Sequence, residues 1–145
     1  AKLFPVCAAD FGAACRSIAD DPCAKLEIIT GFYIPFAEPP AFETDGLLGS
    51  VFLLRALSPI DVEIGIYVEA ACQKSLVAGI AEVGWPPHHV GAIVRSSMRD
   101  RKVGITGGIG AFPPSHLLAL ERVGPATNDR CHSMRGIDIT DLMLP

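Results

Sequence analysis

Apolar residues recur along the chain at two spacings, one typical of helices and one typical of strands. The helical spacing predicts helices at residues 9–19, 46–57 and 72–83. Runs rich in β-branched or other apolar residues predict strands, at residues 26–32, 62–69, 90–94 and 116–121, with a further short strand indicated at 103–106. Asp20-Asp21-Pro22 ends the first helix and Ser58-Pro59 the second, because proline disfavours helix in the residue before it. Gly84 is expected to follow the third helix as its C′ residue.

The order of these elements predicts the fold class. Strands that alternate with helices at this spacing indicate right-handed βαβ crossovers and a mainly parallel sheet. We therefore expect an α/β protein, a Rossmann-like three-layer domain, with residues 1–145 forming a single domain. The carboxyl ends of parallel strands lie along one edge of a sheet, where α/β proteins bind ligands. The residues expected at this edge are Thr30, Gly31, Glu69, Arg95, Glu121 and Arg122.

The composition is rich in apolar residues for a domain of this size. Half of the 145 residues are hydrophobic and only 19% are charged, yet no apolar run is long enough to span a bilayer. The surplus predicts a sheet buried on both faces, or a surface covered by another chain, so we expect a homo-oligomer or a complementing chain. The net charge of −4 gives no electrostatic basis for nucleic-acid binding, and no basic amphipathic helix indicates a membrane surface.

The cysteines indicate the compartment. There are five, at positions 7, 15, 23, 72 and 131, an odd number without a C-x-x-C pair. This argues against a disulfide framework and favours an intracellular location, cytoplasmic or in the mitochondrial matrix. Cys7, Cys15 and Cys23 are eight residues apart and are interpreted as small apolar fillers rather than ligands. No histidine or cysteine spacing supports zinc, so no metal and no cofactor are expected.

The segment Glu43-Thr44-Asp45-Gly46 lies between the first strand and the second helix and combines two carboxylates with a hydroxyl. Thr44 or Asp45 could cap the helix, since either side chain can accept a hydrogen bond from its first N–H groups. The free N–H groups at the Gly46 helix start could instead receive a carboxylate from a ligand. The pattern of the segment alone fits a cap and turn as well as it fits a binding site.

Two segments together resemble the D-glutamate cyclase family. Residues 29–46 contain the motifs T-G-F and E-T-D-G, and residues 116–140 contain E-R-x-G and M-R-G-x-D-I. The combination, in this order and spacing, is fairly specific to the family. The resemblance extends from about Leu3 to the end of the chain and is thinnest between residues 95 and 115.

The chain departs from the family pattern in two places. Asn128-Asp129 and Cys131-His132 stand where the family usually has a glycine and an aromatic pair. Family domains are also about twice as long, and their second half carries an acidic, glycine-rich motif of the G-D-G-G-N-E type that this sequence lacks. The resemblance therefore implies that this chain corresponds to the first half of the family's domain.

The resemblance implies a reaction, the closure of D-glutamate to 5-oxo-D-proline with loss of water, and hence a lyase. This chemistry needs a base for the ammonium group, a pocket that stabilises the attacked carboxylate and a clamp for the other carboxylate. The implied bases or acids are Glu43, Asp45 and Glu121. The implied substrate-binding residues are Thr30, Gly31, Thr44, Gly46, Arg122 and Arg135.

Structural roles and other functions remain open for the same residues. Glu121 and Arg122 could form only an internal ion pair, and Arg135 could only anchor the tail. The alternative function is a non-catalytic α/β module that binds a ligand or a partner, as expected of a truncated family member. Nucleotide binding is a weaker third hypothesis, because no G-x-G-x-x-G follows the first strand and the glycine-rich run at 104–110 lacks the lysine of a phosphate loop.

Overall fold

A computed structural model describes residues 3–60, 62–84, 90–95, 103–107 and 113–143 of the chain. In these residues it contains α1 (Leu3–Ala19), β1 (Lys25–Gly31), β2 (Tyr33–Ile34), β3 (Ala41–Phe42), α2 (Asp45–Leu57), β4 (Glu63–Glu69), α3 (Ala70–Glu82), β5 (Val90–Arg95), β6 (Val103–Gly107) and β7 (His116–Arg122). Residues 108–110 of the glycine-rich run, and most of the polar segment before β6, lie outside the described residues.

Five of the strands form one sheet in the order β6-β5-β4-β1-β7. The pairs β1–β4, β1–β7 and β4–β5 are parallel, whereas β6 runs antiparallel to β5. The prediction of a Rossmann-like α/β fold with a mainly parallel sheet is confirmed. Because β1, β4 and β7 run in the same direction, their carboxyl ends lie along one edge.

The ends of the helices follow the proline and glycine signals in the sequence. Helix α1 ends at Ala19, before Asp20-Asp21-Pro22, and α2 ends at Leu57, before Ser58-Pro59. Gly84 has a φ of +74° just beyond α3, as expected for a C′ glycine. Helix α1 begins six residues earlier than the apolar pattern predicted, at Leu3 instead of residue 9.

Residues 33–42, which contain three prolines, form a small hairpin. Strands β2 and β3 pair Tyr33 with Phe42 and Ile34 with Ala41. The rings of Tyr33 and Phe42 lie 5.0 Å apart and help to hold the pair together. Two-residue strands are too short to produce a readable alternation, so the sequence pattern could not reveal this hairpin.

The main core lies between one face of the sheet and the helices α2 and α3. Its fully buried members are Leu26 and Ile28 of β1, Ile64, Ile66 and Val68 of β4, Leu54 of α2, and Leu76 and Ile80 of α3. Burying each such side chain contributes about 1.5–3 kcal/mol. Strand β4 is buried on both faces from Ile64 to Glu69, as its apolar sequence predicted, whereas β1 alternates between buried and half-buried residues.

Helix α1 is largely exposed. Ile18 packs against the main core, but the side chains of Val6 and Phe11 are 75% and 63% exposed. All five cysteines are free thiols. Cys15 and Cys23 are exposed, so the interpretation of these two as apolar fillers is wrong, whereas Cys7 is half-buried. The two exposed cysteines lie on or just beyond a helix with little surface to pack against. Within the described residues, none of the helices combines the length and apolar character needed to cross a membrane.

Candidate functional site

Three carboxylates meet where β7 ends and α2 begins. Glu43, Asp45 and Glu121 can each offer one oxygen such that these oxygens all lie within 4.8 Å of one another. Glu43 is half-buried, whereas Asp45 and Glu121 are exposed. Asp45 and Glu121 are 76 positions apart in the sequence. They come together because β7 pairs with β1, and the β2–β3 hairpin after β1 leads into α2.

The electrostatic environment favours the protonated form of Glu43. Desolvation by partial burial raises the pKa of its carboxyl group, and the negative charges of Asp45 and Glu121 raise it further. Like-charged carboxylates at such short range cannot all ionise easily. The surroundings of Glu43 therefore make its carboxylate a stronger base than an ordinary glutamate.

Backbone contacts place Glu43 and Asp45 at the start of α2. The N–H of Glu43 donates to the carbonyl of Phe32 at 2.9 Å, which closes the β2–β3 hairpin beside the end of β1. Asp45 accepts a hydrogen bond from the N–H of Gly46 at 2.9 Å. Thr44 occupies the N-cap position, but its side chain makes no capping hydrogen bond. The negative charge of Asp45 in the first turn is stabilised by the helix dipole.

Gly46 allows α2 to approach the strand ends closely. A Cβ atom at this position would collide with Oγ1 of Thr30 and would lie 2.9 Å from Cβ of Glu121. The Thr30 hydroxyl is fully buried and has no hydrogen-bond partner among the described residues. The two residues thus form the floor on which the helix start and Glu121 rest.

Arg122 is held by Glu69, a residue that the sequence placed at this edge but did not assign to the site. The two side chains form an ion pair and are only 7% and 10% exposed. Arg122 also donates to the carbonyl of Gly31 at 3.4 Å. The sequence signal for this partner was a glutamate directly after the largely apolar run at residues 64–68. Because Glu69 engages its guanidinium in a buried pair, Arg122 is less suited to the predicted clamp role than an open arginine would be.

Arg135 forms no hydrogen bond or ion pair with the carboxylate cluster in the described part of the chain. It sits exposed in a turn where Ser133 accepts hydrogen bonds from the backbone N–H groups of Arg135 and Ile137. Its guanidinium makes no hydrogen bond or ion pair with the described residues, so the structure does not link it to the carboxylates.

The rest of the M-R-G-x-D-I segment anchors the tail. Asp138 bonds both the N–H and the hydroxyl of Thr140 and pairs with Arg130. These contacts, chiefly those with Thr140, hold the pKa of Asp138 well below its usual range. Ile139 is buried with Cys131 and Met143 against Phe32, close to the hairpin that leads to Glu43.

A separate apolar pocket of about 240 Å³ lies between α2 and α3. Leu47, Leu48, Val51 and Leu76 supply most of its apolar wall, and Thr44 reaches its rim. The carboxylate cluster is polar by contrast, and its oxygens are also of the type that Mg²⁺ or Ca²⁺ accept as ligands. The expectation that this protein needs no metal stays a prediction.

Comparison with known families identifies the chain's relatives. A family model described as "D-glutamate cyclase-like, C-terminal" matches residues 5–145. A comparison with curated protein sequences finds no match. Because the matched segment covers nearly the whole sequence, the chain belongs to the D-glutamate cyclase-like, C-terminal domain family.

Proposed function

We propose that the carboxylate cluster closes D-glutamate to 5-oxo-D-proline and water, which would make the protein a lyase. The observation that carries the proposal is the convergence of Glu43, Asp45 and Glu121 at the start of α2, in a chain of the D-glutamate cyclase-like family. Proton-exchanging groups beside a helix N-terminus match what this cyclisation demands.

Proton transfer is the main chemical requirement. The substrate nitrogen loses two protons in becoming an amide, and the oxygen that leaves the side-chain carboxylate gains two in becoming water. The C–N bond forms as that C–O bond breaks. Glu43 takes a proton from the ammonium group, since its raised pKa makes it a stronger base than an ordinary glutamate. Asp45 and Glu121, within 4.8 Å, relay protons towards the leaving oxygen.

Substrate binding is assigned to the helix start. The cluster attracts the ammonium group, and the first N–H groups of α2, from Gly46 onwards, receive a substrate carboxylate with the help of the helix dipole. The hydroxyl of Thr44 makes no capping bond and can contact the substrate. Thr30 and Gly46 form the floor below, and substrate contacts by Gly31, Arg122 and Arg135 stay predictions.

The direct test is incubation of the protein with D-glutamate and chromatographic detection of 5-oxoproline. We expect Glu43→Gln to lower the rate by about 10²–10⁴-fold, the usual contribution of a general base. Glu38→Gln is the matched control, because Glu38 is an exposed carboxylate on the β2–β3 hairpin outside the cluster, and it should leave the rate unchanged. Absence of product from folded wild-type protein at high concentration would contradict the proposed activity.

A non-catalytic binding module is the second candidate, and the apolar pocket between α2 and α3 favours it. Its walls suit an apolar group rather than glutamate. Calorimetric titration with D-glutamate, L-glutamate and 5-oxoproline separates the two functions. Binding without turnover supports the module, whereas turnover of D-glutamate that Glu43→Gln abolishes supports the lyase.

A further inference from the structure

Glu121 has a backbone conformation that an ordinary strand residue does not adopt. Its φ is +47°, in the left-handed region, where a side chain with a Cβ is disfavoured. Such conformations persist only where surrounding contacts impose them, and they concentrate at functional sites. The contacts that impose this one can be identified.

The strain coincides with a shift in the pairing of β7 with β1. Thr30 pairs with Leu120, but the next residue of β1, Gly31, pairs with Arg122. Glu121 is therefore an extra, unpaired residue in a β-bulge. A bulge redirects a side chain away from the regular alternation of a strand. Here it leaves the Glu121 carboxylate within 4.8 Å of Glu43 and Asp45 while Arg122 turns into the protein.

Arg122 and Glu69 form a bridge across β1. They belong to β7 and β4, which flank β1 in the sheet, so their ion pair passes over the end of β1. Gly31 lies beneath the bridge, and a Cβ there would come 2.5 Å from Oε2 of Glu69. The absence of a side chain at Gly31, whose φ is +120°, gives the bridge its space.

The bridge is costly as a purely structural device. Burial of both charges removes them from water, and Oε2 of Glu69 has no hydrogen-bond partner among the described residues. A buried ion pair is often no more stabilising than apolar side chains of the same volume. The ion pair also has a geometric effect, because it fixes the position of Arg122, the residue directly after Glu121.

We propose that Glu69 is a positioning residue, which holds Arg122 across Gly31 and so keeps Glu121 in the bulged, left-handed conformation that aims its carboxylate at Glu43 and Asp45. Its consequence for catalysis rests on the proposed cyclase function. Its geometric part does not depend on that function and can be measured separately.

The test compares the wild type with Glu69→Gln by NMR. The three-bond HN–Hα coupling of residue 121 reports its φ, and a pH titration of the Glu43 carboxyl carbon reports how near the charge of Glu121 lies. We expect the coupling in Glu69→Gln to move towards the extended value and the pKa of Glu43 to fall, as it should in Glu121→Gln. Glu121 is among the groups that raise the pKa of Glu43 and Glu69 is not, so a fall that accompanies a changed coupling of residue 121 reports on Glu121.

Glu63→Gln is the matched control. Glu63 begins the same strand and pairs with Lys25 at 3.2 Å, at the opposite edge of the sheet. Both NMR quantities should equal those of the wild type in this variant. Unchanged coupling and unchanged pKa of Glu43 in folded Glu69→Gln would overturn the proposal.

A second variant covers the case in which Glu69→Gln does not fold, because it removes the carboxylate that pairs with the buried charge of Arg122. Glu69→Gln combined with Arg122→Met removes both charges. We expect the same change in the coupling of residue 121 and the same fall in the pKa of Glu43 in this double variant, and the absence of both would overturn the proposal. If the wild type cyclises D-glutamate, kcat should fall in each bridge variant and remain unchanged in Glu63→Gln. If it does not, the proposed function fails while the NMR result still decides the role of Glu69.

Discussion

At the scale of single residues, the surroundings of Glu43 and Cys72 each shift the pKa of the side chain. Partial burial, together with the negative charges of Asp45 and Glu121, raises the pKa of Glu43. Cys72 lies buried at the start of α3, close to the Arg122–Glu69 bridge. Both environments favour the protonated, neutral form of the group. Each environment gives a pH-dependent property that a single substitution can test.

The activity should have an acidic limb that depends on Glu121. If Glu43 is the base, it must be ionised, so kcat/KM should rise with pH through its raised pKa. Glu121→Gln removes a negative neighbour and lowers the pKa of Glu43, so the limb should move to lower pH. The measurement is kcat/KM for D-glutamate against pH, which reports ionisations of the free enzyme. A limb at the same pH in both proteins would show that Glu43 does not control it.

Cys72 should make the fold sensitive to alkaline pH. Burial, and to a smaller extent the negative charge of Glu69, raise the pKa of its thiol to about 11 against the opposing effect of Arg122. The unfolded chain ionises this thiol near pH 9 and the folded chain only near 11, so its contribution is full below pH 9 and is lost between pH 9 and 11. The loss is on the order of 2 kcal/mol.

Urea unfolding of the wild type and of Cys72→Val at several values of pH isolates this contribution. Valine is similar in size and does not ionise, so the variant should lose less stability above pH 9. Cys15→Val is the control, because Cys15 is exposed on α1. Parallel stability curves for the wild type and Cys72→Val would contradict the expected role.

At the scale of elements, the start of α2 is the most constrained part of the fold. It must follow the β2–β3 hairpin, contact the end of β1 and leave room for Glu121. Gly46 meets this requirement because it brings the helix backbone against Thr30 without a side chain between them. The motif E-T-D-G therefore supplies two carboxylates, Glu43 and Asp45, and the glycine that packs against Thr30.

Gly46→Ala should destabilise the protein by about 1–3 kcal/mol, since its Cβ would meet the Thr30 side chain and the β7 backbone. Gly49→Ala in the same helix is the matched control. There the nearest atom is the flexible end of Leu120, at 3.1 Å, and alanine favours helix by about 1 kcal/mol over glycine. The free energy of unfolding in urea should therefore fall in the first variant and change little or rise in the second. Equal losses in both would refute the close-contact explanation.

At the scale of the whole molecule, several large apolar side chains remain exposed in the described part of the chain. Leu48 and Phe52 lie one turn apart on α2 and are 54% and 64% exposed. With the apolar pocket between α2 and α3, they form a surface of the kind that interfaces use. We propose that a second copy of the chain, or another polypeptide, covers it.

Sedimentation over a range of concentrations tests this association. We expect the wild type to show a dimer or larger species, and Phe52→Glu to weaken it by at least tenfold in the dissociation constant, or about 1.4 kcal/mol. Arg55→Glu, at an exposed position of the same helix, should have a smaller effect. A wild type that stays monomeric at every concentration would contradict the proposal.

The sequence by itself determined the order of the elements, because helical and strand spacings and the proline and glycine boundaries are local properties. It also predicted the parallel sheet, and with it the edge where Thr30, Glu69 and Arg122 would lie. Only the tertiary structure decided which side chains meet there. The bulge at Glu121, the bridge from Arg122 to Glu69 and the short hairpin before Glu43 all depend on pairing between residues far apart in the chain. Such pairing leaves no periodic signal in the local sequence. A single extra residue in β7 shifts its pairing with β1, and the residues of β7 alone do not show where that shift occurs.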